Sequence, residues 1–250
     1  MLNKIASIIA CFILLSADGV GGLISRTVSA ASSDVLVILN GQALNTAPYL
    51  PYTSGATVMV PLREVAKALK YKATYEQSTG LIQLIGVKEK IEFKVGDDYL
   101  TFNDTGRIQY KDDAVIKGGR VFVPLSFFTT LGLVTAYDKD TNLAEIYSPE
   151  VTANAIAGLL AAGQFQELED RFFSDELKRL IPVTSLQENW GGLSVQAGNY
   201  YGVKSTVSSQ KEDQFSIQCV LGFAETEASL EILLNKSGKI IDLKEKLLPK

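Results

Sequence analysis

The sequence predicts an α+β fold: a duplicated β-rich domain with two short helices, then a domain of helices followed by a curved antiparallel sheet. Three observations predict it. A Val-x-Val-Pro-Leu segment occurs twice in the first half, and each copy opens the same strand–helix–strand order. Beyond Pro149 the apolar spacing becomes helical, and beyond Gly198 it alternates residue by residue. The composition is globular, with 46% hydrophobic and 21% charged residues, and 250 residues suffice for one large or two modest cores.

The first segment reads as an address. Residues 5–15 are apolar or small behind Lys4, and Val28-Ser29-Ala30 follows a less apolar stretch. This is the order of a secretory signal, with cleavage expected after Ala30 or Ala31. The run is about half of the roughly 20 residues a membrane-spanning helix needs, and Asp18 interrupts its extension toward Ile24. Ile9-Ala10-Cys11 lies inside the apolar run and does not end it, so it is a poor lipid-attachment site. We therefore expect a secreted or cell-envelope protein that meets the membrane only if residues 1–30 stay attached. Their loss takes the net charge from −4 to −5 and leaves Cys219 as the only thiol. Without a disulfide the two cores must hold by packing, as two independently packed scaffolds.

The mature chain opens with an alternating strand at residues 35–39 and an Asn40-Gly41 turn. Val58-Met59-Val60-Pro61-Leu62 then recurs as Val121-Phe122-Val123-Pro124-Leu125. After the first copy Leu62, Val65, Ala66 and Leu69 share one helical face, with Pro61 expected just inside the helix start. Each helix leads into a strand, a turn and a strand: Tyr75 matches Tyr137, Thr79 matches Thr141 and Leu84 matches Ile146. Between the copies, Ile91, Phe93 and Val95 alternate with charges, Asn103-Asp104 with Gly106 marks a hairpin, and Gly118-Gly119 leads into the second motif. Such self-similarity indicates duplication of one unit.

On these residues the segment 34–148 resembles the copper amine oxidase N-terminal, or stalk, domain of secreted Gram-positive proteins. The resemblance implies a β-rich unit remote from the oxidases' copper and quinone site, where histidines hold the metal. This chain has no histidine. The second copy departs from the first in placing Ser126 where the first has Arg63. We read Arg63 structurally, lying along the helix start and bonding nearby carboxylates or carbonyls.

From Glu150 the pattern changes, and Ser148-Pro149 marks the boundary because proline stops a strand. Residues 151–162 form an alanine-rich helix with Ile156, Leu159 and Leu160 on one side and Gly163 beyond its end. Phe165, Leu168 and Phe172 make the next apolar face, and Ser174 caps a turn carrying Leu177, Leu180 and Ile181. Thr184-Ser185-Leu186-Gln187 has capping-box spacing, so a helix should start there and turn Leu186, Trp190, Leu193 and Ala197 inward. Two alternating strands follow: Phe215, Ile217, Cys219, Leu221 and Phe223 on one, Ala228, Leu230, Ile232 and Leu234 on the other. Turns fall at residues 211–213 and 235–238. This order resembles the nuclear-transport-factor-2-like cone fold, specifically a domain of unknown function in secreted bacterial proteins, over residues 150–248. Its markers are the Leu-Ala-Ala-Gly-Gln-Phe step at residues 160–165, Phe-Ser-x-Glu-Leu-Lys at residues 173–178 and the helix of Trp190.

Charge and residue types bound the chemistry. With 24 basic against 28 acidic side chains and no basic run, no nucleic-acid partner is expected. Zero histidines exclude Ser-His-Asp and Cys-His nucleophiles and imidazole-held metals, so we expect no cofactor, no metal and no enzyme activity, apart from what carboxylates or tyrosine could do. Asp138-Lys139-Asp140-Thr141-Asn142 opens like a calcium loop but lacks the glycine and glutamate that such a loop requires, so we read a hairpin turn. Asp97-Asp98 and Asp112-Asp113 are adjacent pairs, whose side chains diverge on a strand. The cone resemblance implies that Trp190, Tyr200, Tyr201, Phe215, Ile217 and Cys219 line a ligand pocket; inward aromatics are equally what a packed core needs. Cys219 has no neighbouring cation to activate it. The expectation is an exported non-catalytic protein. Its first domain attaches or self-associates, and its second binds an envelope or extracellular protein or polymer, or serves as a spacer. Small-ligand binding in the cone and a carboxylate or tyrosine enzyme are the alternatives.

Overall fold

The structure is a computed structural model that describes residues 35–87, 89–110, 114–211 and 214–249. The leader at 1–30 with Cys11, the Asp112-Asp113 pair and the Glu212-Asp213 tip of one turn lie outside the described residues. The chain starts in β1 (Leu36–Leu39) and folds back into β2 (Gln42–Ala43) through Asn40 and Gly41, both at positive φ. A hairpin of β3 (Tyr52–Ser54) and β4 (Thr57–Pro61) feeds α1 (Leu62–Ala68), which buries Leu62, Val65 and Ala66. Then β5 (Lys72–Glu76), β6 (Leu81–Ile85), β7 (Lys90–Lys94), β8 (Tyr99–Phe102) and β9 (Gly106–Gln109) form a five-stranded antiparallel sheet. The repeat follows as β10 (Val115–Lys117), β11 (Arg120–Pro124), α2 (Ser126–Thr130), β12 (Val134–Asp138) and β13 (Leu143–Tyr147).

The two copies of the repeated motif pair with each other. Strands β4 and β11 are antiparallel neighbours with Val60 opposite Val123, Met59 opposite Pro124 and Pro61 opposite Phe122, at the centre of a sheet ordered β10-β11-β4-β3. Both valines are fully buried. The duplicated units thus meet edge to edge through the strands that carry the repeated motif, each pairing the backbone edge the other would leave open. Three local readings need correction. Pro61 is the last residue of β4 and the N-cap of α1, not its first helical residue, because its ψ of 113° is still extended. Arg63 is exposed and makes no hydrogen bond or ion pair to another described residue, so it does not tie down the helix start. Val95 lies past the end of β7 and is 41% exposed, since the chain turns at Gly96 with φ of 87°.

The second half carries four helices, α3 (Pro149–Ala161), α4 (Phe165–Phe172), α5 (Asp175–Leu180) and α6 (Val183–Ala197), before β14 (Tyr200–Lys211), β15 (Gln214–Phe223), β16 (Glu227–Leu234) and β17 (Ile240–Leu247). The strands make one curled antiparallel sheet in sequence order. All nine alternating apolar residues read from β15 and β16 are buried, as are Leu186, Trp190, Leu193 and Ala197 of α6. Ser174 caps α5, its hydroxyl accepting from the Leu177 N–H at 3.1 Å. Pro149 does not merely stop a strand; it is the first residue of α3, where its missing N–H is harmless. The capping box at Thr184 does not form. Pro182 holds the cap position with extended ψ, and the helix begins one residue ahead of Thr184. Leu180, on the short α5, is 70% exposed. Among the described residues no helix is long and apolar enough to cross a membrane.

The halves are not packed independently. Ile38, Val134 and Tyr147 of the first half belong to the core built by α3–α6 and the curled sheet. No linker separates them: β13 ends at Tyr147, Ser148 caps α3 by accepting from the Val151 N–H, and the Ser148 N–H donates to Asn40 Oδ1 at 2.8 Å. On the other side of the joint, the β16–β17 turn presses Gly238 against β12. A Cβ at Gly238 would sit 2.7 Å from the Thr135 carbonyl oxygen.

Candidate functional site

The concave side of the curled sheet is where the sequence places a pocket, and it is filled. Trp190 from α6 packs against Tyr200 and Phe223 with ring centroids 6.0 and 5.8 Å away, and Tyr200 meets Phe223 at 5.5 Å. The mixed edge-on and tilted geometry is that of core aromatics. Ile217 and Cys219 belong to the same core, both buried. The Cys219 thiol donates to the Leu230 carbonyl at 3.5 Å, and burial pushes its pKa up to about 11, so it stays protonated and unreactive at neutral pH. Burial, with Cys219 nearby, also raises the Tyr200 phenol above its ordinary range. Phe215, at the far end of β15, lines a cleft of only about 10 Å³ against Val134 and Thr135 in the joint. Tyr201 is 75% exposed. It follows Tyr200 on one strand, and the pleat turns the two rings to opposite faces.

The turns noticed for their acidic residues use those residues locally. Asp138 Oδ1 accepts from the Asp140 N–H and Tyr137 donates to Asn142 Oδ1, both at 2.8 Å, closing the β12–β13 hairpin. In the first unit Thr79 donates to Glu76 Oε2 at 2.8 Å. Asp97 Oδ2 accepts from the Lys94 N–H at 2.9 Å. Among the described residues no three His, Cys, Asp or Glu side chains gather as metal ligands would.

An accessible concavity lies elsewhere. An open groove of about 700 Å³ runs between α6 and β17, with Leu193, Leu243 and Leu247 contributing apolar wall and Glu188, Asn189 and Gln196 polar wall. Glu245 projects into it, half-buried, and burial holds its carboxyl above the ordinary carboxylate range. It makes no ion pair with another described residue. Among the described residues no side chain is hydrogen-bonded to its carboxyl. Sequence reasoning missed this residue. Its signal was Leu243-x-Glu245-x-Leu247, a charge at an inward position of an alternating strand.

Fold and site together define an α+β chain of two fused units, one a symmetric duplication and the other a packed curled sheet with an open groove along its edge. Residues 38–146 match the family model described as a copper amine oxidase N-terminal domain, which spans both copies of the repeat. Residues 153–243 match that of a protein of unknown function, DUF3887. The first is the non-catalytic N-terminal domain of amine oxidases, and the second match assigns no activity. No curated protein matches the chain.

Proposed function

We propose that the chain is an exported, non-catalytic protein of the cell envelope or extracellular space, in which the stalk-like half provides attachment or association and the second half binds a partner. The observation that carries this reading is the packing of Trp190, Tyr200 and Phe223 against one another on the concave face, which points, among the described residues, to exposed surfaces and the open groove. It weighs against a small ligand held inside the curled sheet. The matched families supply no catalytic role, and the leader pattern at 1–30 supports export. The order of helices and curled sheet supports a nuclear-transport-factor-2-like origin for the second half.

The test is co-sedimentation of the chain lacking residues 1–30 with washed Gram-positive cell envelopes. Retention is expected, reduced by substitutions on exposed strands of the first half and not by Cys219→Ser. The halves are not to be tested as fragments, because separation would bare Ile38, Val134 and Tyr147. Failure of the intact chain to be retained would count against attachment.

A further inference from the structure

The outer edge of β17 is partly covered and partly free. Phe173 bridges Ile240 at its start, and the Ser174 N–H donates to the Ile240 carbonyl at 2.9 Å. Beyond that point β17 is the last strand of the sheet, paired only with β16. The phase of the ladder decides which backbone groups are left over. The Leu248 N–H donates to the Glu227 carbonyl at 2.9 Å, and Lys246 and Lys244 stand opposite Ser229 and Glu231. In an antiparallel pair bonded residues alternate, so Lys244 and Lys246 bond to β16 while the N–H and C=O groups of Leu243, Glu245 and Leu247 turn away from the sheet. The pleat gives the same three residues a common face. Leu243 is buried, Glu245 and Leu247 are half-buried, and Lys244 and Lys246 are exposed. All five line the groove with α6.

We propose that this edge receives an extended segment of a partner polypeptide as a fifth strand, with a Lys or Arg side chain entering the groove at Glu245 and apolar side chains two positions to either side, on Leu243 and Leu247. Three features select that occupant. Glu245 is an inward carboxylate without a counter-ion among the described residues, so a cation is its complement. Room for the cation exists because Gly192 lines the groove, where a Cβ would meet nothing within 4 Å. A helix-interior glycine disfavours the helix, and here no close packing requires one. A second copy of this chain is the wrong partner: two β17 edges paired antiparallel about Glu245 would set two carboxylates opposite each other. An inward charge guards a sheet edge against indiscriminate pairing. Combined with an open groove, it admits the strand that carries the opposite charge.

The inference rests on the proposed partner-binding role of the second half. It is read with purified protein and no envelope, so its failure leaves the attachment reading to its own test. The probe is the blocked peptide Thr-Val-Thr-Lys-Thr-Val-Thr, titrated into the chain lacking residues 1–30 and followed by amide resonances and hydrogen exchange. At saturation the Leu243 and Leu247 amides are expected to exchange at least about tenfold more slowly, with Lys244 and Lys246 unchanged, as strand addition at this edge requires. Glu245→Gln, which keeps the shape of the side chain, is expected to weaken the peptide about tenfold, as is Glu in place of the peptide's Lys, each removing one charge-assisted contact. Gly192→Leu is expected to block binding. Unchanged exchange at Leu243 and Leu247 under saturating peptide, or equal affinity for the Lys and Glu peptides, would overturn the proposal.

Discussion

Trp190→Ala is expected to lower the unfolding free energy by about 4 kcal/mol, the range for removing a large aromatic from a packed core. The indole is 6% exposed and packs against the rings of both Tyr200 and Phe223, in the same core as Ile217 and Cys219. Its loss removes both the apolar burial and two aromatic contacts, and the α6 backbone is tied through Leu186, Leu193 and Ala197 and cannot collapse to refill the space. The same variant carries a second expectation. A void lined by Tyr200, Phe223 and apolar side chains should take up added indole, raising the midpoint of the variant and leaving the native protein unaffected. Urea unfolding followed by far-ultraviolet circular dichroism measures both. A loss below about 1 kcal/mol, or stabilisation of the native protein by indole, would mean that the concave face is not filled as described.

Gly238→Ala is the second large effect, expected at about 3 kcal/mol. The residue has φ of 71°, and an added Cβ would stand 2.7 Å from the Thr135 carbonyl oxygen and 3.5 Å from Val134 Cγ1. The clashing atom is backbone of β12, in a strand held by pairing with β13, so it cannot step aside as a flexible side chain would. Gly55→Ala is the control: its φ is 59° but nothing lies within 4 Å of the added Cβ, so only the left-handed backbone cost of about 1 kcal/mol applies. The difference between the two variants isolates the joint between the halves. Equal losses would show that the joint contributes nothing.

Much of the fold was legible because its signals are local or repeated. The alternation of β15 and β16 and the inward face of α6 follow from a period that each element imposes on itself. The duplication was legible as a repeat, but that its two copies pair with each other, Val60 opposite Val123, is a docking of units that the repeat alone does not encode. The joint was not legible. Asn235 to Gly238 reads as a turn, but that the turn abuts Thr135 depends on how two units dock, which no local period encodes. The site was half legible. Trp190, Ile217 and Cys219 do face inward, yet whether an inward ring lines a pocket or fills it is decided by third parties such as Phe223. Tyr201 could have been withheld from the inside, since Tyr200 and Tyr201 are strand neighbours. Glu245 was overlooked because the end of β17 reads as a charged tail: Lys244, Glu245 and Lys246 in succession hide the alternation of Leu243, Glu245 and Leu247 beneath.

The most direct measurement is calorimetric unfolding of the native chain lacking residues 1–30. Sharing of Ile38, Val134 and Tyr147 with the second core, the Asn40–Ser148 bond and the Gly238–Thr135 contact make the halves one body. A single transition is expected, with calorimetric and van't Hoff enthalpies equal. Two resolved transitions, or a calorimetric enthalpy well above the van't Hoff value, would contradict a fused scaffold.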